Sequence, residues 1–202
     1  MERYKLMGTG KAQFNPMPDW SVYAILQIWS DERHALDFFN DNDLFESYRV
    51  NAKEYWVLFL KNKIARGQWN GVNPFKKSRD IDASNPYIVA LTRATIKTSK
   101  LLTFWKFVPK SQTDLWKNEG LLFTKGIGEA PFKQMATFSV WKSEEYLNTF
   151  AYQTKGHVQA IGKTRKIDWY KEELFSRFQP YRSLGSWSDC KQWITSFTSD
   201  LA

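Results

Sequence analysis

His34 and His157 are the only imidazoles in 202 residues, and Cys190 is the only thiol. A closed zinc site takes four N or S ligands as a rule, so His and Cys alone cannot furnish one here. A haem iron needs a single protein ligand, and one histidine supplies it. Metal chemistry in this chain therefore points to haem on His157 or His34. The alternative is that neither histidine does chemistry.

The surroundings of the two histidines differ. His157 lies in the run Tyr152–Gly162, where helical spacing puts it on one side with Phe150, Gln153, Thr154, Ala160 and Ile161. Gly156, Ala160 and Gly162 are small, so a flat macrocycle can approach closely. The same small residues also suit a helix kink or close helix–sheet packing. His34 sits in a charged first helical turn beside Asp31, Glu32 and Arg33.

Other chemistries find less support. Gly126-Ile127-Gly128-Glu129 resembles half of a dinucleotide fingerprint, but no third glycine completes it. It reads as a tight turn between strands. There is no Walker loop and no G-x-S-x-G elbow, and Cys190 sits in a polar tail. Glu144-Glu145 and Glu172-Glu173 read as solvated ends of elements.

Aromatics make 17% of the chain, with 10 Trp, 9 Tyr and 15 Phe. They suit a thick core, a flat cofactor or a pocket for an apolar ligand. The net charge is +8, but the cations are scattered in short clusters such as Lys61-Lys63-Arg66, Lys76-Lys77-Arg79 and Lys163-Arg165-Lys166. None is a recognition helix or a basic tail, so nucleic acid is not an expected partner. A diffuse positive surface is compatible with an acidic protein or an anionic membrane surface. A single cysteine excludes an internal disulfide and fits a reducing cytoplasm. Met1–Gly10 lacks the apolar core of a signal peptide, and no apolar run is long enough to span a bilayer. The expected location is cytoplasmic, with peripheral membrane contact compatible with the charge.

These residues need elements to position them. Gly8, Gly10, Pro16 and Pro18 mark Met1–Asp19 as an irregular lead-in. Strands are expected at Val22–Trp29, Glu54–Leu60, Tyr87–Ile96, Gly120–Ile127, Met135–Trp141 and Ile167–Phe178. Helices are expected from a Ser30 N-cap to about Ala52 with a break near Asn40–Asp43, over Leu101–Lys117 with an interruption at Pro109, and from Ser143 to about Lys166. Gly67–Pro86 reads as a loop. Pro180 onward reads as irregular before a short helix over Ser188–Phe197.

The chain is thus one domain, 1–202, with three β–α–β units at about 20–66, 87–130 and 134–182. The first and third share Trp29-Ser30-Asp31-Glu32 against Trp141-Lys142-Ser143-Glu144, and Gly67-Gln68-Trp69 against Gly185-Ser186-Trp187. This predicts an α+β fold of duplicated ferredoxin-like βαβ units, in the manner of a dimeric α+β barrel. Sheet faces in such folds often pair between subunits, so a homodimer is compatible with it.

Seven runs, in order, resemble the spheroidene monooxygenase family. They are MGTG at Met7–Gly10, VYAIL at Val22–Leu26, ARGQWNGVNPF at Ala65–Phe75, ALTRATI at Ala90–Ile96, FWKFVP at Phe104–Pro109, KGIGEAPFKQMATFSVW at Lys125–Trp141 and WYKEELFSRF at Trp169–Phe178. The resemblance implies a haem-dependent monooxygenase that uses O2 and takes electrons from a ferredoxin-type donor. The family's type member oxidises an acyclic carotenoid to a ketone. The resemblance places the family's ligand histidine on His157 and gives His34 no counterpart. It makes Arg93 a candidate to pair with a haem propionate or polarise dioxygen, against the alternative of a structural salt bridge. Phe138 and Trp141 become candidate contacts to the haem b.

The expected protein oxygenates an apolar small molecule. Its rivals are a haem enzyme of the same fold with dehydration or N-oxidation chemistry, a cofactor-free monooxygenase, and a non-enzymatic module that binds haem or a lipophilic ligand.

Overall fold

The computed structural model describes residues 1–111, 115–153, 162–164 and 166–187. His157, Cys190 and the expected terminal helix lie outside the described residues. Seven strands form one antiparallel sheet: β1 (Arg3–Lys11), β2 (Asn15–Ile28), β3 (Tyr55–Gly67), β4 (Ile88–Ile96), β5 (Leu121–Ala130), β6 (Gln134–Trp141) and β7 (Tyr170–Ser186). Their spatial order is β2-β1-β5-β6-β4-β7-β3. The helices are α1 (Glu32–Asp41), α2 (Asp43–Asn51), α3 (Leu101–Ser111) and α4 (Glu144–Gln153).

The α+β expectation holds. Within β4-α3-β5-β6-α4-β7 the strand order β5-β6-β4-β7 is the ferredoxin-like arrangement of two interleaved βαβ units. The sheet curls into a half-barrel. Ala24 and Leu26 of edge strand β2 share an apolar cluster with Trp56, Leu58 and Leu60 of the opposite edge, β3. Val89 and Leu91, Ala136 and Val140, and Leu174 and Phe178 form its floor.

The two-residue period of strands assigns every side chain to one face. In β4, Val89, Leu91 and Arg93 face the concave side, opposite Val140, Phe138 and Ala136 of β6. Ile88 and Ala90 face the helices and join Trp141, Leu147 and Phe150 in a second cluster. α1 and α2 cover the β3 side, where Phe39 packs edge-on to Phe59 and Phe45 to Tyr55.

Local chemistry explains the helix ends. Asp31, rather than the expected Ser30, caps α1 by accepting from the Arg33 N–H at 2.8 Å. The expected break separates α1 from α2, and Asn42 caps α2 through the Leu44 and Phe45 N–H groups.

The helix expected over Leu101–Lys117 runs through Pro109 and ends at Ser111, and three expectations about the strands fail. Met1–Asp19 is not an irregular lead-in but strand β1 and the start of β2. Its glycines do not break the strand because β1 is paired on both edges, to β2 and β5. Gly126–Glu129 is not a turn. It lies inside β5, where a bulge falls between Gly128 and Ala130 and an added Cβ on Gly128 would stand 2.4 Å from the Gln134 carbonyl oxygen. Nor is the chain irregular from Pro180. β7 runs through it to Ser186, with a register shift against β3 between Phe59 and Leu60 that absorbs the proline.

Candidate functional site

The loop after β3 returns to the sheet at once. Gly67, at φ +98°, makes the turn. The Gln68 N–H donates to the Glu173 carbonyl at 2.8 Å. Trp69 then inserts under the concave edge of the sheet and is 3% exposed. Phe75 packs edge-on to Phe178 with centroids 4.9 Å apart. Farther along, Gln179 holds Asp82 and Asn85 through three hydrogen bonds.

Trp69 is the centre of an ionic cluster. Its indole N–H donates to Glu129 Oε2 at 2.6 Å, and Lys5 Nζ donates to Glu129 Oε1 at 2.7 Å. Arg93 donates to Glu172 and lies 3.8 Å from Glu129. Both cations stand over the Trp69 ring, Arg93 at 5.5 Å and Lys5 at 5.6 Å from its centroid. Glu172 also accepts from the N–H groups of Asn70 at 2.8 Å and Gly71 at 2.9 Å. Partial burial pushes the Glu172 pKa up, but the two N–H groups and Arg93 outweigh it and leave it below the usual carboxylate value. Two cations and two carboxylates balance. The Arg93 Nε and one terminal nitrogen are buried without a hydrogen-bond partner, so this guanidinium retains unused donors. A cavity of about 90 Å³ adjoins the cluster, lined in part by Lys5, Leu26, Trp69 and Asn70.

Four of the sequence motifs therefore meet at one place. ARGQWNGVNPF supplies Trp69, ALTRATI supplies Arg93, KGIGEAPF supplies Glu129 and WYKEELFSRF supplies Glu172. Of these four, the sequence alone marks only Arg93 as a candidate, and Glu172 reads there as a solvated end. The signal that finds Glu172 is strand parity, since Glu172, Leu174, Ser176 and Phe178 alternate along β7 and share the concave face.

Phe138 also lies on the concave face. It packs against Phe123 and Trp56, with centroids 6.1 and 6.5 Å away, and the Trp56 N–H donates to Ser183 Oγ at 2.9 Å. Trp141 does not join it. Three residues along the same strand, it points to the helix side, 1% exposed and 5.3 Å from the Phe150 ring. One cofactor on one face of the sheet cannot touch both.

On the helix side, the FWKFVP motif builds an aromatic wall. Phe104 packs edge-on to Trp169 at 5.4 Å, and Phe107 lies 5.8 Å from Trp169. The Trp169 indole donates to Thr164 Oγ1 at 3.1 Å. Lys163 Nζ lies 4.1 Å above the Phe107 ring. The chain leaves the described residues at the end of α4, packed on this side, and re-enters beside Phe107. The described flanks of the His157 segment are therefore on the helix side, with the sheet between them and Arg93. His34, the one described histidine, is exposed on α1.

Comparison with known proteins gives the class. Spheroidene monooxygenase of Rhodobacter capsulatus is 39% identical over 186 residues, which cover 91% of this chain and 77% of that protein. The enzymes of the same name from Cereibacter sphaeroides and Rubrivivax gelatinosus are 36% and 34% identical, each over 91% of this chain and over 57% and 70% of their own lengths. No protein-family model matches. Among solved structures, a protein of Fusobacterium nucleatum provisionally described as a monooxygenase has a TM-score of 0.47 at 14% identity, covering 81% of this chain and 73% of that one. One of Lactobacillus acidophilus, described likewise, has 0.44 at 14%, covering 88% and 77%. The protein is an oxidoreductase of the monooxygenase class with a ferredoxin-like α+β fold. Its sequence relatives are more specific than that, and the chain belongs to the spheroidene monooxygenase family.

Proposed function

We propose that the chain is a haem-dependent monooxygenase acting on an apolar, polyene-like substrate, with His157 as the axial ligand. The observation that carries this reading is the aromatic wall of Phe104, Phe107 and Trp169 beside the described flank of the segment that carries His157 in the sequence. The donor set fits haem, because one imidazole suffices and Lys163 offers a cation to a carboxylate-bearing macrocycle. When bound, haem supplies the site where O2 is reduced with electrons from a donor. The protein's part is to exclude water and orient the substrate. Apolar side chains from β4, β6 and α4 pack into a dry cluster on the helix side.

Arg93 fits a positioning role better than direct contact with haem. It fixes Trp69 and the Gly67–Phe75 loop from the concave face, two carboxylates occupying its charge. The electron donor is taken to be an acidic ferredoxin-type protein. In support, Lys63, Lys77 and Arg79 come together from β3 and the following loop around an open groove of about 650 Å³. Lys63 also pairs with Glu144 at the start of α4, 2.9 Å away, which places the groove beside the helix that leads to His157. The location is taken to be cytoplasmic.

The test is turnover of the haem-loaded protein with ferredoxin, its reductase, NADPH and spheroidene under ¹⁸O2. The expected result is a ketone product carrying ¹⁸O, formed only with haem present. Product formed equally by haem-free protein would overturn the haem reading, and no oxygenated product from the loaded protein would overturn the substrate.

A further inference from the structure

The β1–β2 hairpin and the loop after β3 meet at the small cavity beside the ionic cluster. It measures about 90 Å³, and Arg3, Lys5, Leu26, Ile28, Trp69 and Asn70 are among the residues that line it. Strand parity explains the hairpin's share. Arg3, Lys5 and Met7 alternate along β1 and face the concave side, and Ile28 and Leu26 stand opposite Arg3 and Lys5 on β2. Turn chemistry explains the rest. Trp69 and Val72 bridge across Asn70 and Gly71, whose φ values are +55° and +80°. Such a left-handed pair is what an Asn-Gly turn takes. The turn is tied to β7 by its own N–H groups, both of which donate to Glu172. Trp69 and Asn70 are thereby held at the cavity.

The walls set the chemistry of a ligand. The carboxylates of this region are already engaged: Glu129 with Lys5 and Trp69, Glu172 with Arg93 and the turn, and Glu2 with Lys76 at 3.4 Å. Arg3 stands in no ion pair among the described residues, and the Asn70 side-chain amide makes no hydrogen bond among them. One positive charge and one amide are therefore left over at the cavity. A guanidinium fork matches the two oxygens of a carboxylate. Leu26, Ile28 and the Trp69 ring suit the carbon side of an organic acid, whereas an oxyanion that is polar all round would lose hydration there. At a share of about 30 Å³ per water, the space takes roughly three waters, so only a few non-hydrogen atoms fit inside.

We propose that this cavity binds the carboxylate group of a small monoanionic organic acid, with Arg3 and the Asn70 amide taking its oxygens and Leu26, Ile28 and Trp69 its carbon side. Bound there, the acid bridges the β1–β2 hairpin to the Asn70-Gly71 turn and ties one edge of the half-barrel to the loop. The inference stands on the cavity and does not depend on the haem or the substrate.

The experiment is a saturation-transfer NMR titration of the full chain with acetate, acetamide, hexanoate and phosphate in turn, at about 0.15 M salt to screen diffuse attraction. Acetate is expected to bind in the millimolar range, as suits about four non-hydrogen atoms, and neutral acetamide at least about tenfold more weakly. Arg3→Gln, which breaks no ion pair among the described residues, is expected to weaken acetate at least about tenfold with an unchanged circular dichroism spectrum. Asn70→Gly keeps the turn and its N–H groups and is expected to weaken acetate about threefold. Acetate should raise the Tm of the wild type and not that of Arg3→Gln. Hexanoate separates the two sources of a carboxylate: binding at least about tenfold tighter than acetate identifies the end of a longer chain, and equal binding a short free acid. Either result leaves the carboxylate site standing. No acetate binding, equal binding of acetamide, or acetate binding that Arg3→Gln leaves unchanged would overturn the proposal. Phosphate binding tighter than acetate would overturn it as well, by showing a site for inorganic anions.

Discussion

Arg93→Met removes the cation at the centre of the motif cluster and leaves a side chain of similar length. The Arg93 side chain is 2% exposed, and its partners Glu172 and Glu129 are 20% and 19% exposed. Removing one partner of a fully buried pair costs ~3–5 kcal/mol. Here neither carboxylate is left bare. Glu172 keeps the Asn70 and Gly71 N–H groups, and Glu129 keeps Lys5 and Trp69. The unpartnered Arg93 nitrogens also mean that part of its desolvation is uncompensated in the wild type. These offsets bring the expected loss to ~2 kcal/mol. For a chain of this length that lowers Tm by ~4–8 °C. Urea unfolding with an unchanged m-value is the assay, and Arg93→Met combined with Glu172→Gln should fall short of additivity by ~1 kcal/mol. A single-variant loss below ~0.5 kcal/mol, or strict additivity of the pair, would refute the claim that Arg93 holds this cluster together.

Acid should weaken the fold through Glu172. Its folded pKa is below the unfolded one, so its contribution is present above the unfolded value and is lost as pH falls through the folded value. Glu172→Gln should flatten acid unfolding below about pH 4.3, as followed by circular dichroism. Gly67→Ala forces a Cβ to 2.2 Å from the Glu173 carbonyl oxygen at φ +98° and should cost ~2 kcal/mol or more, whereas Gly8→Ala, with open space around it, should stay within ~0.5 kcal/mol in the same denaturation assay. Burial, with the Glu32 carboxylate nearby, pushes the Tyr181 pKa up to about 12. Its contribution to stability is whole below the unfolded tyrosine pKa of about 10 and is lost as pH rises through the folded value, so Tyr181→Phe should remove the latest-titrating phenol from the absorbance at 295 nm.

The strands of the core were legible because VYAIL, EYWVLFL and YIVALTRATI alternate or run apolar between turn residues. β1 was not, because Gly8 and Gly10 read as breakers until β2 and β5 are seen pairing on both sides. β7 beyond Pro180 was missed for a similar reason, since a register shift that accommodates a proline exists only in the partner strand's frame. Arg93 was found through its motif. Its partners were not, because Lys5, Trp69, Glu129 and Glu172 stand on different elements and only strand order brings them together. Parity alone would have separated Phe138 from Trp141, because three residues along a strand change its face.

The haem assignment is tested most directly by reconstituting the wild type, His157→Ala and His34→Ala with haem and recording the Soret band and the haem-to-protein ratio. The account predicts a Soret band at one haem per chain in the wild type and in His34→Ala, and loss of that stoichiometric band in His157→Ala. A wild type that takes up no haem, or a His157→Ala protein whose band is unchanged in position and occupancy, would contradict it.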